Sequence, residues 1–220
     1  MRYVSFTFDD GAINGARKVH EILSPYKATF YIITGWVKPN NSYVDDKFNV
    51  DVDHGSLDDW KYLSEIGHDI GSHTATHKKG DYNRIEEECC ESLEFLKKIH
   101  LGPYSISSPH HSFIKTSIFD SVRVGTYQTI HKKNGHEFNK LSCDLKEIYS
   151  CDENYQSLSS TVPQVSDDNI WFVMSYHSID NEGFCPISSD DLRKSKTLFL
   201  DYGYQIKSVK EMICNRHHHI

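Results

Sequence analysis

The 220-residue sequence has no apolar run long enough to cross a membrane as a helix. Its longest runs, Ala28 to Ile33 and Ile170 to Met174 among them, fall far short of the ~20 residues that a bilayer core requires. A basic stripe is also missing. Lys and Arg number 24 against 31 Asp and Glu, a formal charge of −7, which makes nucleic acid a poor partner. There is no GxSxG elbow and no Cys–His dyad, so a nucleophilic serine or cysteine hydrolase is disfavoured. The six cysteines are irregularly spaced and contain no CxxC pair, which argues against a thiolate zinc site. Cys89 and Cys90 are adjacent and would point apart on a helix. Free thiols in a reducing compartment are the plain expectation. No linker and no internal repeat is visible. Met1 and Arg2 lead straight into Tyr3, with no room for a signal peptide. The expectation is a cytoplasmic protein, with secretion the alternative if the sequence has been trimmed.

What is present suits one folded domain. Hydrophobic residues make up 38% and aromatics 12%, too much for a disordered chain. A single catalytic domain over residues 1–214 and a tail over 215–220 are expected. Strand and helix patterns alternate. Residues 3–8, 28–33, 68–72, 104–108, 124–130, 171–176 and 205–208 read as strands. Residues 15–23, 57–66, 84–99, 115–122 and 188–202 read as helices, with Ser188 as an N-cap. Asn40 to Gly55 reads as a polar surface loop, and 131–168 resists assignment. Repeated β-then-α units predict a parallel sheet, open or closed into a barrel, with chemistry at the C-terminal strand ends.

Three polar clusters stand at such ends. Asp9-Asp10-Gly11 follows the first strand. Adjacent carboxylates repel unless a cation or donors offset them, and diverging side chains let one hold a metal while the other acts as a base. A simple Asp-Gly turn is the alternative. His73 and His77 are four residues apart, a spacing that puts both imidazoles on one face of a helical turn and suits one metal. His177 follows strand 171–176. One carboxylate and two histidines are the ligands of a catalytic metal site with an open position. Zinc is the default ion, and iron, cobalt or nickel also fit. A carboxylate is left over as a base and a histidine as an acid, the inventory of metal-assisted hydrolysis. The sequence holds 14 histidines, and His217 to His219 at its end are set aside.

These clusters resemble the polysaccharide deacetylases, the NodB-homology domain of carbohydrate esterase family four. Thr7-Phe8-Asp9-Asp10-Gly11 looks like that family's first motif, His73-Thr74-Ala75-Thr76-His77 like its second, and Met174-Ser175-Tyr176-His177 like its late strand-histidine motif. The resemblance implies an α/β fold, a distorted (β/α) barrel with about seven parallel strands. It implies Asp9 as catalytic base, His177 as general acid, and Asp10, His73 and His77 around one divalent metal ion. The implied activity is deacetylation of an N-acetylated sugar, with carbohydrate as the partner. A deformylase or O-acetyl esterase on the same scaffold, or an inactive sugar-binding protein, are the alternatives. The third motif departs from the family: Pro109 fits, but Ser107 stands where an arginine commonly pairs with the base. Arg123 is a candidate substitute from elsewhere. Pro109, His110 and His111 fall near the mouth, where they would contact substrate, add a ligand or offer backbone N–H groups to an oxyanion. Asp144 is a weak candidate to support His177, and 131–168 is expected to shape specificity.

Overall fold

The computed structural model describes residues 1–38, 49, 51–78, 84–111, 114–124, 132–133, 136–137, 139–140, 147–151 and 154–216. Eleven strands and six α-helices run through them: β1 (Arg2–Phe8), α1 (Ile13–Leu23), β2 (Thr29–Ile32), α2 (Leu57–Glu65), β3 (Asp69–Ser72), α3 (Ile85–Leu96), β4 (Ser105–Ser107), β5 (Ser121–Val124), β6 (Lys132–Lys133), β7 (His136–Glu137), β8 (Asn139–Lys140), β9 (Glu147–Tyr149), α4 (Tyr155–Thr161), β10 (Ile170–Tyr176), α5 (Ser189–Asp201), β11 (Gln205–Ile206) and α6 (Val209–Arg216). Seven strands lie parallel in the order β10-β1-β2-β3-β4-β5-β9. Just past β9, Cys151 pairs with Met174 of β10 in a parallel bridge, which brings the curled sheet back on itself. β11 adds a short parallel pairing to β1, β8 lies antiparallel on β10, and β6 and β7 pair apart from the sheet. The result is a distorted (β/α) barrel.

Period-2 alternation along the strands sorts two cores. Val4, Phe6 and Phe8 of β1 pack outward under the helices, with Phe6 edge-on to Phe199 of α5. The intervening positions are small and polar: Ser5, Thr7, Thr29, Ser105, Ser107, Ser121 and Ser175 are all buried. Buried hydroxyls need partners. Ser5 accepts from Trp171 Nε1 at 2.9 Å and donates to the Lys207 carbonyl, and Thr7 donates to the Met174 carbonyl. A second apolar cluster joins Trp171, Val173 and Ile148 to Val209, Met212 and Ile213 of α6. That helix is tied down at its start. Thr29 Oγ1 accepts from Val209 N at 2.9 Å, and Asp69 Oδ2 accepts from Lys210 N at 3.1 Å.

Local signals set the other helices. Ser56 and Asp59 form a capping box at α2, and Ser188 caps α5 by accepting from Asp191 N. Either cap contributes ~1 kcal/mol. The helix expected over 115–122 does not form. Thr116 Oγ1 accepts from Ile118 N, and Asp120 is spent on Tyr104 N, local bonds that compete with a helical ladder. The strand expected over 124–130 begins earlier, at Ser121, in register with β4, and 125–130 lie outside the described residues. Cys89, Cys90, Cys151, Cys185 and Cys214 form no disulfide. No helix among the described residues is long and apolar enough to cross a membrane.

Candidate active site

β1, β3 and β10 all end on one rim, and each is followed by one of the three polar clusters. The turn after β1 is tight. Asp10 and Gly11 have φ of 69° and 82°, and a Cβ on Gly11 would sit 3.1 Å from the Ile32 side chain. Asp9 N donates to the Tyr176 carbonyl at 2.8 Å, which fixes the turn to the end of β10. Both carboxylates are buried and they diverge.

Asp9 turns toward β4 and β5. Arg123 of β5 is the register partner of Ser107 of β4. Its Nη2 donates to Asp9 Oδ2 and to Ser107 Oγ, and its Nη1 to Ser175 Oγ and, at 2.9 Å, to Ser150 Oγ. Ser107 Oγ also donates to Asp9 Oδ2 at 3.2 Å. The guanidinium stands 5.2 Å over the Tyr31 ring. An arginine one strand over therefore reaches the carboxylate that Ser107 cannot ion-pair. Burial is the strongest influence on Asp9 and acts to raise its pKa. Arg123, then His73 and His177, act the other way and hold the carboxyl below its ordinary 3.8. Asp9 Oδ1 remains buried with no hydrogen-bond partner.

Asp10 turns toward the His73–His77 loop. Asp10, His73 and His77 are a group of described residues able to hold a metal ion, with ligand atoms all within 4.8 Å of one another. Asp10 Oδ1 lies 3.6 Å from His73 Nε2 and 3.7 Å from His77 Nε2. Ligands ~2.1 Å from a tetrahedral ion would be ~3.4 Å apart, so the spacing fits. The same oxygen is buried without a hydrogen-bond partner. His73 Nδ1 donates to the Ser107 carbonyl at 2.9 Å, which fixes the tautomer and leaves Nε2 a lone pair toward Asp10. Burial lowers the pKa of His73 and takes His77 to about 2, so both imidazoles are neutral at ordinary pH.

The two histidines are brought together by an irregular loop, not by the helical turn expected from their spacing. Thr74 and His77 have φ of 67° and 61°, left-handed values that no helix accepts. Loop bonds replace the helical ones. His73 N donates to Ile32 O, His77 N to Thr74 Oγ1, and Thr76 N and Oγ1 both donate to Glu88 of α3 at 2.7 Å.

His177 follows β10 and lies near enough to Asp9 and His77 to influence both, with its ring edge-on to Phe184 at 5.0 Å. Pro109 and His110 sit in a short turn after β4. His110, at φ 52°, is exposed and rests its ring 4.4 Å from that of His77, while its Nε2 donates to the His77 carbonyl. It buttresses His77 and is not among the three metal-competent residues. The His111 side chain and Asp144 lie outside the described residues. The sequence reading missed Asn49 and His54, because both fall in a stretch that reads as a polar surface loop. They are buried. Asn49 Nδ2 donates to Asp10 Oδ2 at 3.2 Å, and His54 Nδ1 to the Gly11 carbonyl at 3.3 Å. Both precede the well-capped start of α2, and no local pattern in that polar stretch marks either as buried.

The fold and the site together define a hydrolase with a place for a metal ion. Residues 1–129 match the family described as polysaccharide deacetylase, and the chain belongs to that family, the NodB-homology domains of carbohydrate esterase family four. No curated protein matches the chain. Solved structures share the fold at low identity. The family-four domain of a multidomain xylanase from the hindgut metagenome of Trinervitermes trinervoides is 16% identical, with a TM-score of 0.61 over 98% of this chain and 91% of that one. The Bc1960 peptidoglycan N-acetylglucosamine deacetylase is 16% identical, with a TM-score of 0.58 over 96% and 87%. A family-four acetyl xylan esterase from Clostridium thermocellum, solved with a cobalt ion, is 16% identical, with a TM-score of 0.58 over 98% and 92%.

Proposed function

We propose that this carbohydrate deacetylase is metal-dependent and removes the acetyl group from an N-acetylated sugar, in a poly- or oligosaccharide or in an activated precursor of a surface glycan. The observation that carries the reading is the division of labour between two adjacent buried carboxylates. Asp10 presents one oxygen without a hydrogen-bond partner to two neutral imidazoles, and Asp9 keeps one such oxygen beside an arginine. A divalent ion held by Asp10, His73 and His77, zinc by this donor set with iron, cobalt or nickel as alternatives, would supply a Lewis acid that makes water acidic near neutral pH and polarises the acetyl carbonyl.

The chain's own residues do the rest. Asp9 Oδ1 accepts the proton of the attacking water. Arg123 keeps Asp9 ionised and holds Oδ2 aside, so Oδ1 is the free acceptor. The backbone N–H of His110, in the turn that Pro109 opens after β4, is the donor we assign to the oxygen that gains charge, since Pro109 itself has none. His177 delivers a proton to the leaving nitrogen, a step an amide needs because its anion is a very poor leaving group. Loss of the Asp9 carboxylate removes the base and leaves the three metal-holding side chains in place. Asp9→Asn should therefore lower acetate release from N-acetylglucosamine oligomers by about 10²–10⁴-fold while metal uptake stays at the wild-type level. An Asp9→Asn variant that turns over at the wild-type rate would sink the assignment.

An O-acetyl ester is the second reading. A structural relative is named an acetyl xylan esterase, and the same groups serve ester hydrolysis, with less demand on His177 because an alkoxide leaves more readily. Equal activity of His177→Ala and wild type on acetylated xylan, with none on N-acetylated oligomers, would favour it.

A further inference from the structure

Asn49 is a polar side chain with only 1% of its surface exposed, and burying an amide is costly unless it is bonded. Its Nδ2 donates to Asp10 Oδ2 at 3.2 Å. The other Asp10 oxygen, Oδ1, is the one that lies between His73 Nε2 and His77 Nε2 and has no hydrogen-bond partner. The orientation of the amide follows from charge, since its carbonyl turned toward Asp10 would set acceptor against acceptor. On the far side, Asn49 Oδ1 lies 3.1 Å from the point where a Cβ on Gly183 would be. Gly183, at φ 69°, belongs to the turn that follows His177. Asn49 and the described residues that follow it are tied down by hydrogen bonds. Val52 N donates to the Asn49 carbonyl, Ile13 N at the start of α1 donates to the Asp53 carbonyl, and Trp60 Nε1 of α2 donates to the His54 carbonyl.

We infer that Asn49 is a positioning residue that occupies one oxygen of Asp10 and thereby leaves a single oxygen, Oδ1, for the metal ion. This rests on the metal-dependent reading above. A carboxylate that offers both oxygens takes an extra coordination position. One held by an amide donor offers one, and keeps a position open for water or substrate. Supports of this kind around a metal ligand change affinity by about 10–100-fold when removed. Asn49 also fills the space between Asp10 and the Gly183 turn, so it joins the metal-holding side of the site to the segment that carries His177.

The test uses cobalt(II) as the probe on the full chain with His217 to His219 removed. Affinity is measured by competition with a chelator, and the visible absorption of the cobalt protein reports coordination number. Asn49→Ala should weaken cobalt binding about 10–100-fold and, by freeing Asp10 Oδ2, lower the visible intensity as coordination number rises. Asn49→Asp keeps the shape and exchanges the donor for an acceptor, and should show the same loss. It guards against a fold defect in the alanine variant. Asn49→Gln, which retains a donor, should recover part of the affinity. Wild-type cobalt affinity and spectrum in the Asp variant would overturn the inference and leave the deacetylase reading standing. A wild type that takes up no cobalt would overturn both.

Discussion

At the scale of single residues, Asp9 and Arg123 show one chemical need met from an unexpected position. Ser107 stands where the family commonly has its arginine, yet Ser107 and Arg123 are register partners on β4 and β5, so the guanidinium arrives from the adjacent strand. Asp9 is buried, and burial alone would raise its pKa. Arg123→Leu removes the largest opposing influence. The Asp9 pKa then rises, so the acid limb of the pH–rate profile should move to higher pH, and activity at pH 5 should fall more than activity at pH 8. Rate measurements across pH 4–9 check this, and an acid limb that does not move would contradict the role given to Arg123. Breaking a buried pair also costs stability, ~3–5 kcal/mol, so the profile is best taken at low temperature. Much of this site was legible in the sequence. Asp9, Asp10, His73, His77 and His177 were found because each follows a strand pattern. Arg123 emerged only as a candidate, because strand register is not written in any local pattern. Asn49 was missed because burial of a polar loop residue depends on what the rest of the chain packs around it.

At the scale of elements, the sheet and α1, α2, α3 and α5 were legible from periodicity and caps, with ends displaced by a few residues. The helical turn expected at 73–77 was not. Spacing of four residues is shared by a helix and by a loop, and here left-handed Thr74 and His77 with the Glu88 brace select the loop. The start of β3 carries a different tension. Asp69 is buried, donors from Thr29 and Lys210 do not offset that burial, and its pKa is raised to about 6. Below pH ~4 the folded and unfolded chains both hold this proton. Between about 4 and about 6 only the folded chain does, so stability falls as pH rises through that window. Asp69→Asn keeps an acceptor for Thr29 Oγ1 and Lys210 N and removes the charge. It should stabilise the protein by about 1–3 kcal/mol at pH 7 and by nothing at pH 4. Chemical denaturation at the two pH values checks it.

For the whole molecule, the barrel explains why so many polar groups are inside. Inside it, Ser5 and Thr7 donate to backbone carbonyls and Ser107, Ser150 and Ser175 accept from Arg123, while His54, His73 and His77 gather at its mouth. Burial lowers the pKa of His54 and His73 there and takes His77 to about 2, and at the opposite end of the sheet, just before β3, it lowers His68 to about 4. A histidine whose folded pKa is depressed must lose stabilisation as pH falls below its ordinary 6.5, because the unfolded chain then binds the proton first. The metal-free protein should therefore lose stability from about pH 6.5 downward, with His68 and His77 each contributing ~1.4 kcal/mol per pH unit down to about their folded pKa, before most carboxylates titrate. Thermal melts from pH 7.5 to 4.5 in chelator should show it, and a flat Tm over that range would contradict the burial of these imidazoles.

The most direct test of the account is acetate release by the chelated protein as zinc is added back, with His217 to His219 removed. The site at Asp10, His73 and His77 predicts no turnover of N-acetylglucosamine oligomers without metal, recovery complete at about one ion per chain, and neither uptake nor turnover in His73→Ala/His77→Ala. Acetate release that survives chelation, or that persists in the double variant, would contradict it.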